Sequence, residues 1–243
     1  MVNGGIVGVN IGNVQNCKNQ GDIKTGYQTG GIAGAQYSYG KISSCVNEGY
    51  FVEKFGAYKK GGIVGWNSDN GIVEYCCNLS DINFVWDQAH GGIAGDNSDN
   101  GIIQYCFNKG NLSQGYYAIS GIATGNTATI QYCYNIGSIS ATIGIPGNGT
   151  FAFGIGGGGN IKNCYNIGDI QTPHSIGYKI GGPDATIQNS YYLGTNTEDT
   201  MCKDAEFMKT QEFVDLLNAE NEGVFCIDEK GINDGYPILS WQI

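Results

Sequence analysis

The sequence contains no arginine: its 12 basic residues are all lysines, set against 22 acidic ones for a net charge of −10. Phosphate recognition leans on the planar arginine fork, so nucleic acid is not an expected partner. No run of 18 apolar residues occurs, which argues against a membrane-spanning helix and membrane insertion. No signal peptide is visible ahead of the first repeat, and the chain reads as a fragment trimmed from a longer protein. Proline is scarce at 4 residues, and charged residues make up only 14% beside 41% hydrophobic. That balance is too apolar and too weakly charged for a disordered tract. What the chain has in excess is glycine, 41 of 243 residues. Without a triplet period this is not collagen; it fits tight turns and close backbone approaches.

A fixed period explains the glycines. Six segments carry Cys-x-Asn: Cys17/Asn19, Cys45/Asn47, Cys76/Asn78, Cys106/Asn108, Cys133/Asn135 and Cys164/Asn166, with cysteine spacings of 28, 31, 30, 27 and 31. A seventh, Ser190/Tyr192, is degenerate. Three residues before each Cys lies Val14, Ile42, Val73, Ile103, Ile130 or Ile161, with Ile187 before Ser190. Four after it lies a small residue (Gly21, Gly49, Ser80, Gly110, Gly137, Gly168, Gly194), and six after it an apolar one (Ile23, Phe51, Ile82, Leu112, Ile139, Ile170). Upstream stands a glycine-flanked pair, as in Gly31-Ile32-Ala33-Gly34 and Gly62-Ile63-Val64-Gly65. Each unit thus offers two or three short β-type runs and no helical pattern. One unit cannot bury its own apolar face, but stacked units can. The expected fold is all-β: a single-stranded parallel β-solenoid (β-helix) of about seven coils over residues 1–197, with a small α+β C-terminal cap over 198–243.

Stacking turns each column into a ladder. Column cysteines would have parallel Cβ vectors about 4.8 Å apart, outside ordinary disulfide reach, so they read as buried free thiols. Cys202 and Cys226 lie outside the column; free thiols are favoured there too, with a disulfide as the alternative in an oxidising compartment. The Asn column reads as amides stacked at a turn. Ile at minus three and Cys have opposite parity, so both can point inward only if the chain bends or bulges between them.

In the C-terminal part the pattern becomes helical over about 204–218, where Phe213, Leu216 and Leu217 share a face, and a final strand is expected at about 235–241. This segment is expected to cover the open end of the stack. Coil one has no such cover, which suggests further upstream repeats, another domain or a partner chain over it.

Gly-Ile-x-Gly followed by Val/Ile-x-x-Cys-x-Asn-x-Gly-x-Ile resembles the GLUG-motif repeats of bacterial secreted and cell-surface proteins, also found outside the protease domain of some immunoglobulin A-cleaving metallopeptidases. The likeness spans roughly Gly4 to Gly194, with Ile where the motif name has Leu and with drift in coils five to seven. The tail, with Glu212-Phe213-Val214-Asp215-Leu216-Leu217-Asn218 and Gly235-Tyr236-Pro237-Ile238-Leu239, resembles the region that often follows such repeats. The resemblance implies an extracellular or cell-surface adhesion or interaction role and supplies no catalytic residue.

The candidate chemistry is thin. Gly154-x-Gly156-x-x-Gly159 matches a dinucleotide fingerprint only by chance, since no helix follows it. His90 and His174 lack a Ser or Cys partner for a triad. Asp69 and Asp99 stack in matching Asn-Ser-Asp-Asn-Gly turns; turn chemistry is favoured over Ca²⁺ binding by Asp69, Asp96 and Asp99. Asn78, Asn111 and Asn148 head glycosylation sequons. No cofactor is expected, and no enzyme activity. The better candidate is aromatic. If Cys points inward, Tyr75, Tyr105 and Tyr132 form one outward column and Phe107, Tyr134, Tyr165 and Tyr191 a second, a surface suited to a glycan or a host or bacterial surface protein. The alternative is that the cap or a loop covers these rings. A further row of Tyr27, Phe55, Trp86, Tyr116, Ile143 and His174 shares the parity of the core and is expected inside. The reading is a non-enzymatic adhesion, ligand-binding or stalk module. The alternatives are a carbohydrate-active β-helix enzyme, which would need carboxylates converging on one face, and an accessory region of a secreted protease.

Overall fold

Brief β-branched runs broken by Gly, Asn and Asp fold as five short strands per coil, more than the two or three read from the sequence. In coil two these are Gln28–Gly30, Ala33–Gln36, Lys41–Ser43, Val46–Asn47 and Phe51–Val52. The computed structural model describes residues 1–52, 58–83, 89–113, 117–141, 150–173 and 176–243. Coil pairs with coil in parallel, residue column on residue column, as in Val14↔Ile42 and Asn47↔Asn78. The first strands make a seven-stranded sheet from Val2–Gly4 to Ile176–Tyr178, enclosing six full turns of a β-solenoid. Second and third strands share one twelve-stranded sheet, because Gly156–Lys162 runs through a corner that the earlier coils turn. In coils two to four that corner is Ser38-Tyr39, Asp69-Asn70 and Asp99-Asn100, all with φ between 48° and 63°, the signature of a type I′ turn.

The expected bend between Ile and Cys is present in every coil. The residue before each column position, Asn16, Ser44, Tyr75, Tyr105, Tyr132, Asn163 and Asn189, has a left-handed backbone with φ between 45° and 55°. One such residue turns the chain enough to bury both columns: Ile42, Val73, Ile103, Ile130 and Ile161, and Cys45, Cys76, Cys106, Cys133 and Cys164, are fully buried. All nine thiols are free, Cys202 and Cys226 included. The column Sγ atoms also accept backbone N–H groups, as Cys76 does from Cys45 at 3.4 Å. Ser190 Oγ takes over this role for Cys164 at 3.1 Å, so the degenerate coil keeps the bond with a different atom.

A second, smaller apolar compartment holds Ile82, Leu112, Ile119, Ile139 and Ala152. Its inner column continues in register from Ile119 to His90, Lys60 and Thr29, and Lys60 and His90 are fully buried. Between the compartments runs the Asn ladder, pressed on the glycine column. A Cβ on Gly31, Gly62 or Gly92 would stand 2.3, 2.3 or 2.4 Å from the Cγ of Asn47, Asn78 or Asn108. The motif glycine is therefore imposed by the asparagine of its own coil.

The C-terminal segment departs from expectation in place and extent. Only Cys202–Lys203, paired on Tyr192 and Leu193, extends a sheet at the end of the stack, with Met201 against the main core. The remainder lies along the flank. Its helix is Gln211–Leu217, preceded by a 3-10 turn at Phe207–Lys209, and the last strand is Ile238–Leu239, antiparallel to Phe225–Cys226. Thr210 caps the helix by accepting from the Phe213 amide. Among the described residues no helix is long and apolar enough to cross a membrane.

Candidate functional site

The aromatic columns form the ladders foreseen, but their outer faces are occupied. Tyr75, Tyr105 and Tyr132 stack at 4.9 and 5.4 Å; Phe107, Tyr134 and Tyr165 stack at 5.0 and 4.9 Å. The C-terminal segment lays Met208, Phe213, Val214, Leu217, Phe225 and Leu239 over them as one apolar cluster. Phe107, Tyr132, Tyr134 and Tyr165 are buried, Tyr105 and Tyr191 half-buried, and Tyr75 is 36% exposed. Tyr165 Oη donates to the Pro237 carbonyl and accepts from Asn233 Nδ2, and Tyr134 Oη donates to Gln242 Oε1. Burial pushes both phenols above their ordinary pKa. The strip first read as a ligand surface is thus the seat of the chain's own C-terminal segment. Of the further aromatic row, Tyr27 is 49% exposed and stacks on Tyr58 at 4.8 Å instead of entering the core; Phe55, Trp86, Tyr116, Ile143 and His174 lie outside the described residues.

An open surface remains on the other side. The turn at Gly30-Gly31 folds the first and second strands of each coil sharply together. A Cβ on Gly65 would lie 2.6 Å from the Thr29 amide nitrogen, and one on Gly95 2.5 Å from that of Lys60. The second motif glycine is thereby explained as a close approach of two strands. In coil five Thr124 stands there, and its Oγ1 donates to the His90 carbonyl. The outward residues of the two strands then face each other across a groove that follows the stack. One wall is Gln28, Lys59, Ala89, Ala118 and Phe151; the other is Ala35, Trp66, Asp96 and Gly125, each set in register.

In coils two to four this groove is filled from both walls. Lys59 Nζ pairs with Asp96 at 2.5 Å and sits 4.0 Å from the Trp66 ring centre. Tyr37 meets Trp66 edge-on at 5.4 Å and bonds Gln28. Trp66 Nε1 donates to Ser98 Oγ, and Asp99 accepts from Ser68 and Ser98. Partial burial raises the Asp96 carboxyl above its usual pKa, with Lys59 pulling it back. Asp96 is thus paired with Lys59 and Asp99 with two serines, while Asp69 is a left-handed turn residue; among the described residues no three metal-ligating side chains converge.

In coils five and six the facing column becomes Gly125 and Gly158, and the groove opens. The cleft left there is about 500 Å³, lined by Ala118, Asn126, Thr127, Phe151, Phe153 and Asp184 over a glycine floor. Phe151 and Phe153 stack at 6.2 Å, and Phe153 stacks on Tyr178 at 5.5 Å. This constellation was missed in the sequence, although the signal was present. The position after the second motif glycine, or after Thr124 in coil five, runs Val9, Ala35, Trp66, Asp96, Gly125, Gly158, so that two successive coils lose the side chain in one column. Searches against family models, curated proteins and solved structures find no match to the chain.

Proposed function

We propose that the chain is a non-enzymatic binding module that holds a stretch of glycan in this groove. The observation that carries the reading is the glycine-floored cleft beside Phe151 and Phe153. An aromatic wall suits the apolar face of a sugar ring, while Asn126, Thr127 and Asp184 offer polar partners for hydroxyls. Spacing of the carboxylates favours binding over hydrolysis. Asp96 and Asp184 are three rungs apart on the column, roughly 14 Å at strand spacing, whereas glycosidic cleavage needs a pair within about 5–9.5 Å. An adhesive or stalk-like role at the cell surface, as the repeat resemblance implies, is compatible with such a module.

The test is a panel of neutral and acidic oligosaccharides titrated by calorimetry against the full chain and two variants, Phe151→Ser and Asp184→Ala. Binding at micromolar to millimolar strength, weakened at least about tenfold in both variants, is expected on the loss of a packed ring or a polar contact. Binding that neither variant weakens would remove the groove from consideration.

A further inference from the structure

Both amide ladders have a direction. Asn19 Nδ2 donates to Asn47 Oδ1 at 2.9 Å, Asn47 to Asn78 at 2.9 Å, Asn78 to Asn108 at 2.9 Å, Asn108 to Asn135 at 2.8 Å and Asn135 to Asn166 at 2.8 Å. The second ladder runs the same way, from Asn10 to Gln36, Asn67, Asn97 and Asn126, at 2.7–2.8 Å. The backbone fixes this sense. The Oδ1 atoms of Asn19, Asn47, Asn78 and Asn166 also accept the N–H two residues on, at 3.2, 3.2, 3.4 and 3.2 Å, so these amides cannot be flipped without losing that bond.

Such a column has unlike ends. On the coil-one face Asn10 and Asn19 present carbonyl oxygens, each already holding one N–H, from Gly12 and Gly21, with lone-pair capacity for a further donor. Toward the far face both ladders stop before the last coil: Asn166 Nδ2 gives one hydrogen to the Gly168 carbonyl and lies under Tyr192, its register partner, and Asn126 Nδ2 gives one to the Gly158 carbonyl of coil six. Tyr192 replaces the next asparagine, Pro183 removes an N–H from the edge strand Gly181–Gln188, and Cys202–Lys203 covers part of the edge. The coil-one face also bares its apolar columns. Ile6 is 47% exposed where Ile32, Ile63 and Ile93 are 0%. The backbone agrees: Lys41, Val46 and Glu48 donate to coil one, so by register Asn13, Lys18 and Gln20 direct their N–H groups away from the stack.

We infer that the face of coil one is a docking surface for a partner coil of this same repeat type, bearing amide donors at both ladder positions and an open trailing edge. The match is continuity: the partner repeats an interface already made between consecutive coils. A second copy of this chain stacked head to tail does not fit, since its last coil places Tyr192 and Asp184-Ala185, not amide side chains, at the ladder positions. Two coil-one faces do not fit each other, since both offer acceptors. This inference stands independently of the groove and of any glycan.

The experiment supplies the partner coil covalently, so that weak association is not limiting. A copy of residues 27–57 is placed directly ahead of Met1 in the full chain, which sets Met1 where Tyr58 follows in the native order. The unfolding midpoint should rise by more than about 5 °C, and hydrogen exchange at the amides of Asn13, Lys18 and Gln20 should slow at least about tenfold. The same extension with Gln36→Glu and Asn47→Asp in the added copy keeps the apolar columns and removes both donors; it should lose most of the gain. Equal protection from both extensions, or from neither, would overturn the inference. So would sedimentation of the unextended chain as a dimer with those same amides protected, because the occupant would then be a second copy.

Discussion

Asn78 Nδ2 donates to Asn108 Oδ1 at 2.9 Å while also donating to the Ser80 carbonyl at 2.8 Å. Both amide hydrogens are therefore used inside the stack, at a residue with no exposed surface. Asn78→Asp keeps the shape and removes both donors, turning two bonds into oxygen–oxygen contacts. The expected cost is on the order of 3 kcal/mol. It should grow as pH rises through the ordinary carboxyl range, because only the protonated group can still donate. Asn19→Asp, at the rim where water can replace the lost partner, should cost clearly less. Urea unfolding of the two variants at pH 4 and 7 checks this; equal losses at the two positions would show that the ladder is not the source of the effect.

The thiols should divide by place. Cys17 and Cys226 are only partly buried, while the other seven of the nine are buried. Burial raises Cys76, Cys106 and Cys133 well above the ordinary thiol pKa, and burial with Glu48 nearby pushes Cys77 up to about 12. Since the thiolate is the reactive form, a disulfide reagent at pH 8 should label the two partly buried thiols first in the native chain, Cys17 slowed by burial and the neighbouring Cys45, which push its thiol up, and the rest only on unfolding. Four or more fast thiols would contradict a closed ladder.

The solenoid was legible in the sequence because register forces one residue type to recur at one place. Ile32, Cys45 and Asn47 repeat since each touches its own counterpart in the next coil. The bend could be inferred from the parity of Ile and Cys, and its left-handed residue is natural for Asn16 or Ser44. Where the reading stopped was at contacts between columns of different kinds. Tyr105 stacks on its own column, yet Trp241 of the C-terminal segment donates its Nε1 to the Tyr105 carbonyl and sets its ring against Tyr75 and Phe107. No periodicity links residues 136 positions apart. The groove was missed for a similar reason: Lys59, Trp66 and Asp96 belong to two columns brought together only by the fold at the glycines.

His90 is fully buried beside Lys60 in the second compartment, and burial, then the Lys60 charge, lowers its pKa to about 3. A histidine near 6.5 in the unfolded chain then binds its proton only there over the interval from about 6.5 to 3. Stability is therefore undiminished above about pH 6.5 and falls as the solution is acidified, by on the order of 2 kcal/mol at pH 5. His90→Gln should flatten the pH 5–7 limb of the stability curve, read from thermal midpoints at constant ionic strength. An unchanged slope would mean that other groups set the acid limit.

Two tyrosines of the covered strip should respond very unequally to substitution. Tyr105 has a left-handed backbone, φ 54°, and a half-buried ring. Asparagine tolerates that backbone well and fills the same position in coils one, six and seven, so Tyr105→Asn relieves strain while giving up a stacking contact. These opposing effects are each about 1 kcal/mol, so the net change should stay smaller than about 1 kcal/mol. Tyr165 has an ordinary strand backbone, no exposed surface, and hydroxyl bonds to Pro237 and Asn233. Tyr165→Ala leaves a cavity under Phe213 and Phe225 and unpaired polar groups beside it, for a loss of about 3–5 kcal/mol. The same change should loosen the C-terminal segment from the flank, so brief trypsin digestion should cut after Lys209 or Lys230 in Tyr165→Ala sooner than in Tyr105→Asn. If Tyr105→Asn instead released the segment first, the outer column, and not the buried one, would be its anchor.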